Sequence, residues 1–441
     1  MKKCYNNCVT KNSVLTKNHA PVKAAPASRN ASAVLKTLIQ RGFPAYLHSF
    51  SAIDAYLGRS PANETLVLTG ADTADLARIF IDIRFPGIDL ADAALDADGQ
   101  TYYFRCVDFD AYSGQAERFL FTSDFFKTGE SLCPSFKILA FYRDCRSNHF
   151  LDPYTNYPLL RDIKKGLKPE LQPKSIFPGA ERCRAVMDWA LILAKYFPVD
   201  DMQISGEKPA AAITGNNIFQ NLDKGTSPCI EEQRVLLKEL LSGPNPAAGL
   251  DFLMCQGFIA EYWPELAVLN DVDHSKEFHP EGNVWKHTLE TFRYRKASAG
   301  TFDLRLSLGL LLHDIGKAVA EAAGKNRFDG HAELGEQQAS RFLRRLGFEP
   351  ALVSDVCYLV KNHMLPAALP RLPLIRTEDK MLSPLFPVLM ELYRCDESSS
   401  FKGPDGYYQS SAAYQSFLRN KRNPYRTADG KKHSDKRRSK W

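Results

Sequence analysis

Six of the ten histidines in this 441-residue chain fall between His274 and His363, and one of them, His313, stands directly before Asp314 in LGLLLHDIGKAV. The pair closes a run, Leu304 to Leu312, that is apolar almost all round and predicts a buried helix. An unpaired carboxylate in an apolar interior is too costly to persist, so the pair needs an ion-pair partner, a hydrogen-bond partner or a metal. Four further residues stand where helices would face inward. His287, in NVWKHTLETF, borders the stripe Val284, Thr288, Leu289 and Phe292. His363 continues the stripe Val356, Leu359 and Val360, and Asp396 continues Leu389, Leu392 and Tyr393 in the same way. His331 follows the polar turn in FDGHAELG, at the expected start of another helix. A lone histidine on an apolar face is more often a satisfied core residue than a ligand, but two adjacent ionisable groups in so apolar a helix are hard to explain structurally. Imidazoles and carboxylates without a thiolate suit Mn, Fe, Co, Ni or Zn, or Mg on the oxygen side, and six such ligands are enough for two divalent ions. Two ions would permit hydrolysis of a phosphoester.

The elements that must position these residues follow from the pattern of the rest. Residues 1–30 are rich in Lys, Asn, Ala and Pro and are expected to be disordered. Over 31–166 helix and strand patterns mix: a helix at SAVLKTLIQRG, strands at PAYLHSF and ETLVLTG, a helix at TADLARIFI, then strands at TYYFRCVDF, ERFLFTS and FKILAFYR. Residues 167–270 read as helices, in ERCRAVMDWALILAKYF, EEQRVLLKELLSG and PAAGLDFLMCQGFIAEYWPEL. The histidine-rich segment 271–400 reads as all-α, and 401–441 as a basic, disordered tail. The predicted fold class is α+β: a small mixed head, a mostly helical neck and body, and an all-α domain.

The formal charge of +6 is a property of the tail. Arg419 to Trp441 carries ten Lys or Arg against two Asp, a balance of +8 that leaves −2 for the remainder. Such a tail would attach weakly to RNA phosphates, or merely solubilise the chain. The ten cysteines are scattered singly without a CxxC pair, the start MKKCYNNCVTKNS is basic and polar, and no apolar run approaches the length of a membrane span. The expectation is a cytoplasmic protein with reduced thiols and no membrane partner; oligomeric state is left open.

HPEGNVWKHTLE, LLLHDIGK, FDGHAELG, LRRLGF and NHM, in that order, resemble the HD phosphohydrolase domain in the version attached to bacterial tRNA nucleotidyltransferases and poly(A) polymerases. The resemblance continues upstream. AYLHSFSAIDAYLGR has the frame of that family's AYLVGGxVRDxLLGR, FLDPYTNYPLLRDIKKGL is similar to its LIDPFGGLEDLKKGL, and Pro244 to Leu266 resembles its helical body. Chemistry is missing from the head. Ser49 and Phe50 replace two glycines, Ile53 replaces an arginine, and only Asp54 remains. The family's D-x-D, whose alternating carboxylates hold two Mg ions, falls on Glu64 and Leu66, and leucine cannot ligate magnesium. The family's R-R-D-F-T-I-N-A stretch falls on Leu132, Cys133, Pro134, Ser135, Phe136, Lys137, Ile138 and Leu139, without its charges. Asp108 and Asp110 form another D-x-D that would rebuild a carboxylate cluster with Asp54 or Glu64, although alternating carboxylates on a strand are usually its wet face.

The resemblance implies a metal-dependent phosphohydrolase or phosphodiesterase acting on RNA ends, tRNA or nucleotides, holding one or two divalent ions. His287, His313, Asp314 and Asp396 are the expected primary ligands, with His331 and His363 completing a second site and Asp314 bridging. Asp314 and Lys317 are the expected catalytic pair, the lysine neutralising a phosphate oxygen, while His279 and Glu281 are weaker candidates for substrate contacts. Two alternatives stand beside this: nucleotide addition to RNA 3′ ends by the head, and a non-catalytic RNA-binding regulator.

Overall fold

The computed structural model describes residues 31–59, 64–88, 90–97, 99–109, 135–169, 176, 181–199, 225–273, 282–298, 300–322, 328–400, 403–423 and 425–431. The expectations for residues 1–30, for the ERFLFTS strand and for Leu132, Cys133, Pro134, Asp110, His279 and Glu281 lie outside these.

Helix and strand alternate in the head as the pattern predicts. The helices Ala31–Gln40, Ser49–Leu57 and Thr73–Ile79 interleave with β1 (Ala45–His48), β2 (Glu64–Thr69), β3 (Ala93–Ala97), β4 (Gln100–Cys106), β5 (Tyr142–Asp144) and β6 (Phe150–Leu151). The strands form one sheet in the order β3-β4-β2-β1-β5-β6, in which β2 and β4 run parallel and the other pairs antiparallel. Two expectations need correcting. The PAYLHSF strand stops at His48 because Ser49 takes φ 55, a left-handed conformation that ends the extended run. FKILAFYR is not one strand: Lys137–Leu139 is a 3-10 turn that buries Ile138 and Leu139, and extended structure resumes only at Tyr142.

All six residues of β2 are buried, and period two sorts them between the faces. Val67 belongs to the main core with Phe104, whereas Leu66 packs with Ala91, Ala94 and Tyr103 and meets Val235 of the helix Ile230–Ser242. The helical body thus covers one face of the sheet. Within the body, Gly249 lies so close to Ala190 O that a Cβ there would sit 2.5 Å from it, which lets the helices Arg182–Tyr196 and Pro246–Cys255 touch backbone to backbone.

Among the described residues, the longer helices of the C-terminal domain are Val284–Thr291, Leu304–Leu312, Lys317–Ala322, His331–Arg345, Pro350–Asn362 and Phe386–Ser399. Leu304–Leu312 is the buried helix that its composition predicts, with Leu308, Leu310, Leu311 and Leu312 fully buried. Gly309 allows Leu359 and Leu392 of two neighbouring helices to approach its backbone. Arg295 fastens this domain to the body. Its guanidinium donates to Leu241 O at 2.6 Å, Gly243 O at 2.7 Å and Ser307 Oγ at 2.6 Å, satisfying carbonyls left open at the end of Ile230–Ser242.

The tail expectation is corrected too. Asp405–Arg422 is an 18-residue helix, and residues 425–431 are described beyond it. Tyr407, Ser410, Tyr414 and Phe417 recur at three- and four-residue steps, so a helical face exists but is made of aromatic and small residues instead of aliphatic ones. Phe417 is buried, and the Tyr414 ring lies 4.7 Å from that of Phe386.

Candidate metal centre

Four of the six expected ligands stand at helix ends, and that explains how they are held. The last carbonyls of a helix lack intrahelical partners. His313, which follows Leu304–Leu312, uses this by donating Nδ1–H to Leu310 O at 2.8 Å, and His363, which follows Pro350–Asn362, donates to Val360 O at 2.7 Å. His331 opens its helix after a turn containing Phe328 at φ 59 and Gly330 at φ 75, and donates Nδ1–H to Phe328 O at 2.9 Å. A carbonyl can only accept, so each imidazole carries its proton on Nδ1 and turns the Nε2 lone pair inward. His287 and Asp396 come from the interiors of their helices, 3.0 Å apart through His287 Nε2 and Asp396 Oδ1.

All six converge. His287, His313 and Asp396 form one group able to share an ion, and Asp314, His331 and His363 form a second. Asp314 stands between them: Oδ2 lies 3.2 Å from His313 Nε2 and 3.9 Å from His287 Nε2, while Oδ1 lies 3.6 Å from His331 Nε2 and 3.8 Å from His363 Nε2. Lys317 Nζ sits 2.6 Å from Asp314 Oδ2. The turn that carries Asp314 reaches this position because Gly316 lies against the start of the His331 helix, where a Cβ would come within 2.0 Å of His331 O.

The donor set fits a metal on two observations. His313 Nε2 is buried without a hydrogen-bond partner among the described residues. His331 Nε2 and His363 Nε2 face each other at 3.0 Å, yet both Nδ1 atoms already hold the protons, so two lone pairs oppose one another unless a cation lies between or beside them. The electrostatics agree. Burial pushes the His363 imidazole down to about 4 and lowers that of His331, keeping both neutral as ligands must be. Burial alone would raise the Asp314 carboxyl, but His313 and Lys317 outweigh it and hold the group well below the usual carboxylate range. Asp396 is likewise held low against burial, chiefly by its hydrogen bond from His287.

Asp54 is bound to Lys195 Nζ at 2.8 Å and to the Tyr196 hydroxyl at 3.2 Å, and Glu64 is bound to Lys238. Both lysines come from body helices. Leu66 is buried. Asp108 is exposed in the loop after β4, not on a strand, because the strand ends at Cys106. Among the described residues the two groups able to share an ion both lie in the C-terminal domain. Sequence reasoning missed Lys195 and Lys238; the available signal was a lysine set in the apolar run DWALILAKYF.

Fold and site together define an HD-domain protein: residues 284–385 match the HD domain family, with Asp396 beyond the matched span. The CC-adding tRNA nucleotidyltransferase of Thermus thermophilus is 33% identical over 141 residues, which are 31% of this chain and 32% of that protein. The multifunctional CCA protein of Xanthomonas campestris is 26% identical over 306 residues, 68% of this chain and 70% of that protein. The chain thus spans only about a third of the length of the first of these relatives. A crystal structure of the Bacillus stearothermophilus CCA-adding enzyme in complex with CTP aligns over 90% of this chain and 84% of that one, with a TM-score of 0.43 and 14% identity. The C-terminal part of the chain thus matches the HD domain family, and the chain is similar in sequence to tRNA nucleotidyltransferases and CCA proteins. Of these relatives, the Thermus thermophilus protein is named for CC addition to tRNA. The HD domain and this family imply use of a divalent metal in general. Among the described residues no helix is long and apolar enough to cross a membrane.

Proposed function

We propose that the histidine-aspartate centre is the active site of a divalent-metal-dependent phosphohydrolase or phosphodiesterase acting on RNA ends or nucleotides. The observation that carries this reading is Asp314 set between two three-ligand groups, with three imidazoles fixed in the tautomer that offers Nε2. His287, His313 and Asp396 would hold one ion, and His331 and His363 a second, with Asp314 serving both. Mn, Fe, Co, Ni or Mg suits this set, as one or two ions. When bound, the metal supplies Lewis acidity toward a phosphoryl oxygen and acidifies water beside it. The protein's own part is to fix the ligands by backbone carbonyls, keep the His331 and His363 imidazoles neutral, and offer the Lys317 ammonium to the charge of the phosphate. RNA and nucleotides as substrates are inferred from what the relatives are named for. The test is hydrolysis of 2′,3′-cyclic nucleotides and phosphorylated RNA ends by wild type and by Asp314→Ala; activity indifferent to the substitution would overturn the reading.

The second reading, nucleotide addition to RNA 3′ ends, is favoured by the names of the sequence relatives. It is opposed by Leu66 at the position where the resemblance expects a metal ligand and by the engagement of Asp54 and Glu64 with Lys195 and Lys238. Incorporation of CTP or ATP into tRNA with Mg, lost in Glu64→Gln or Asp108→Ala, would establish it in place of the first. RNA binding without either reaction would leave a regulator.

A further inference from the structure

Between β2 and the body helices Arg182–Tyr196 and Ile230–Ser242 lies a narrow cleft of about 60 Å³. Its walls are apolar, including Leu66, Met187, Leu191 and Val235, yet five carboxylates line it. Against those acids stand Arg184 and Lys195 in the lining and Lys238, which is bound to Glu64. The acids are not all matched. Asp188, 2% exposed, engages Arg184 at 3.2 Å with Oδ1, while its Oδ2 is buried without a partner among the described residues. Glu239 engages Lys195 with Oε2 and leaves Oε1 in the same condition, and Glu64 leaves Oε2.

Buried acceptors without donors cost free energy until something donates to them. A bare metal ion is a poor occupant: among the described residues the groups close enough to share one are the two in the HD domain, and the cleft carboxylates are not among them. An apolar wall is also the wrong surroundings for a hydrated ion. What fits is a molecule with N–H donors carrying positive charge and a hydrocarbon body between them. We propose that this cleft binds an organic ammonium cation of the aliphatic diamine class, its ammonium groups meeting Asp188 and Glu239 and its methylenes lying on Leu66, Met187 and Val235. Burial pushes the Glu64 carboxyl up to about 7, so a proton can serve that oxygen near neutral pH while the others still need a donor. This inference does not depend on the reading of the metal centre.

The experiment is calorimetric titration of the full-length protein with 1,4-diaminobutane at pH 8 and fixed ionic strength, with 1,4-butanediol, magnesium chloride and ATP as parallel titrants. Saturable binding of the diamine alone is expected, weakened at least tenfold in Asp188→Asn and Glu239→Gln. Leu90→Trp, which fills the cleft without changing its charge, should weaken it equally and guards against a variant that merely misfolds. Absence of saturable diamine binding, equal binding of the uncharged diol, a magnesium or ATP titration in its place, or affinity untouched by Asp188→Asn and Leu90→Trp would each overturn the proposal.

Discussion

His313 and His363 each commit Nδ1 to a carbonyl three residues back, and the consequence is that their Nε2 atoms turn toward the centre. A pH dependence follows for the metal-free protein. The His363 pKa is about 4 when folded against the ordinary 6.5, so its contribution is fully present above pH 6.5 and is lost as pH falls toward 4, where the unfolded chain takes up a proton that the folded one refuses. The size is on the order of 3 kcal/mol. Asp314 and Asp396 are also held low, and they extend the loss below the ordinary carboxylate range instead of opposing it. The urea midpoint of protein treated with a chelator should therefore drop between pH 7 and 4.5, and added Mn should shift the drop to lower pH because the ion binds only the folded form. A flat profile would contradict the buried, neutral assignment of His363.

At the scale of elements, the periodic stripes made the helices that carry His287, His363 and Asp396 legible, and the polar turn of FDGHAELG marked the start of the helix that opens with His331. What they did not contain is why the ends matter: an open carbonyl that receives an imidazole depends on where a helix stops, and boundaries are the weakest part of a periodicity argument. The glycine of HDIGK was legible as a residue and silent as a contact. Gly316→Ala should push the Asp314 turn off the His331 helix, lowering metal content and destabilising by about 2 kcal/mol, the usual cost of overpacking. Retained metal and an unchanged urea midpoint would show that the turn can shift freely. The C-terminal helix went unread because its buried face is built from Tyr407, Ser410, Tyr414 and Phe417, residues that a search for aliphatic stripes passes over. It packs on the helix that carries Asp396. Removal of residues 405–441 should therefore cost stability and metal occupancy, beyond any flattening of the salt dependence of RNA binding that loss of phosphate contacts would bring. RNA affinity with an unchanged salt slope would leave the segment a purely structural role.

For the whole molecule, the question is which half does the chemistry. In the head, the mixture of helix and strand was legible, but the ion pairs of Asp54 and Glu64 were not, because their lysine partners lie more than a hundred residues away in the chain. Asp54 and Glu64 now join head to body. Glu64→Ala is consequently expected to destabilise, and Asp54→Ala more so, by about 3 kcal/mol, since it strips one partner from a buried lysine. Thermal or urea unfolding would check this, and wild-type stability in Asp54→Ala would deny the ion pair a structural role. The central claim is that the C-terminal centre holds a divalent metal and hydrolyses phosphoesters with it. Elemental analysis of wild type, His313→Ala and Asp314→Ala, paired with 2′,3′-cyclic nucleotide hydrolysis by the same preparations, tests it most directly. Metal and activity should fall together in both variants, further in Asp314→Ala because that carboxylate lies within 3.9 Å of all four imidazoles. Equal metal content in all three proteins, or hydrolysis that survives either substitution, would contradict it.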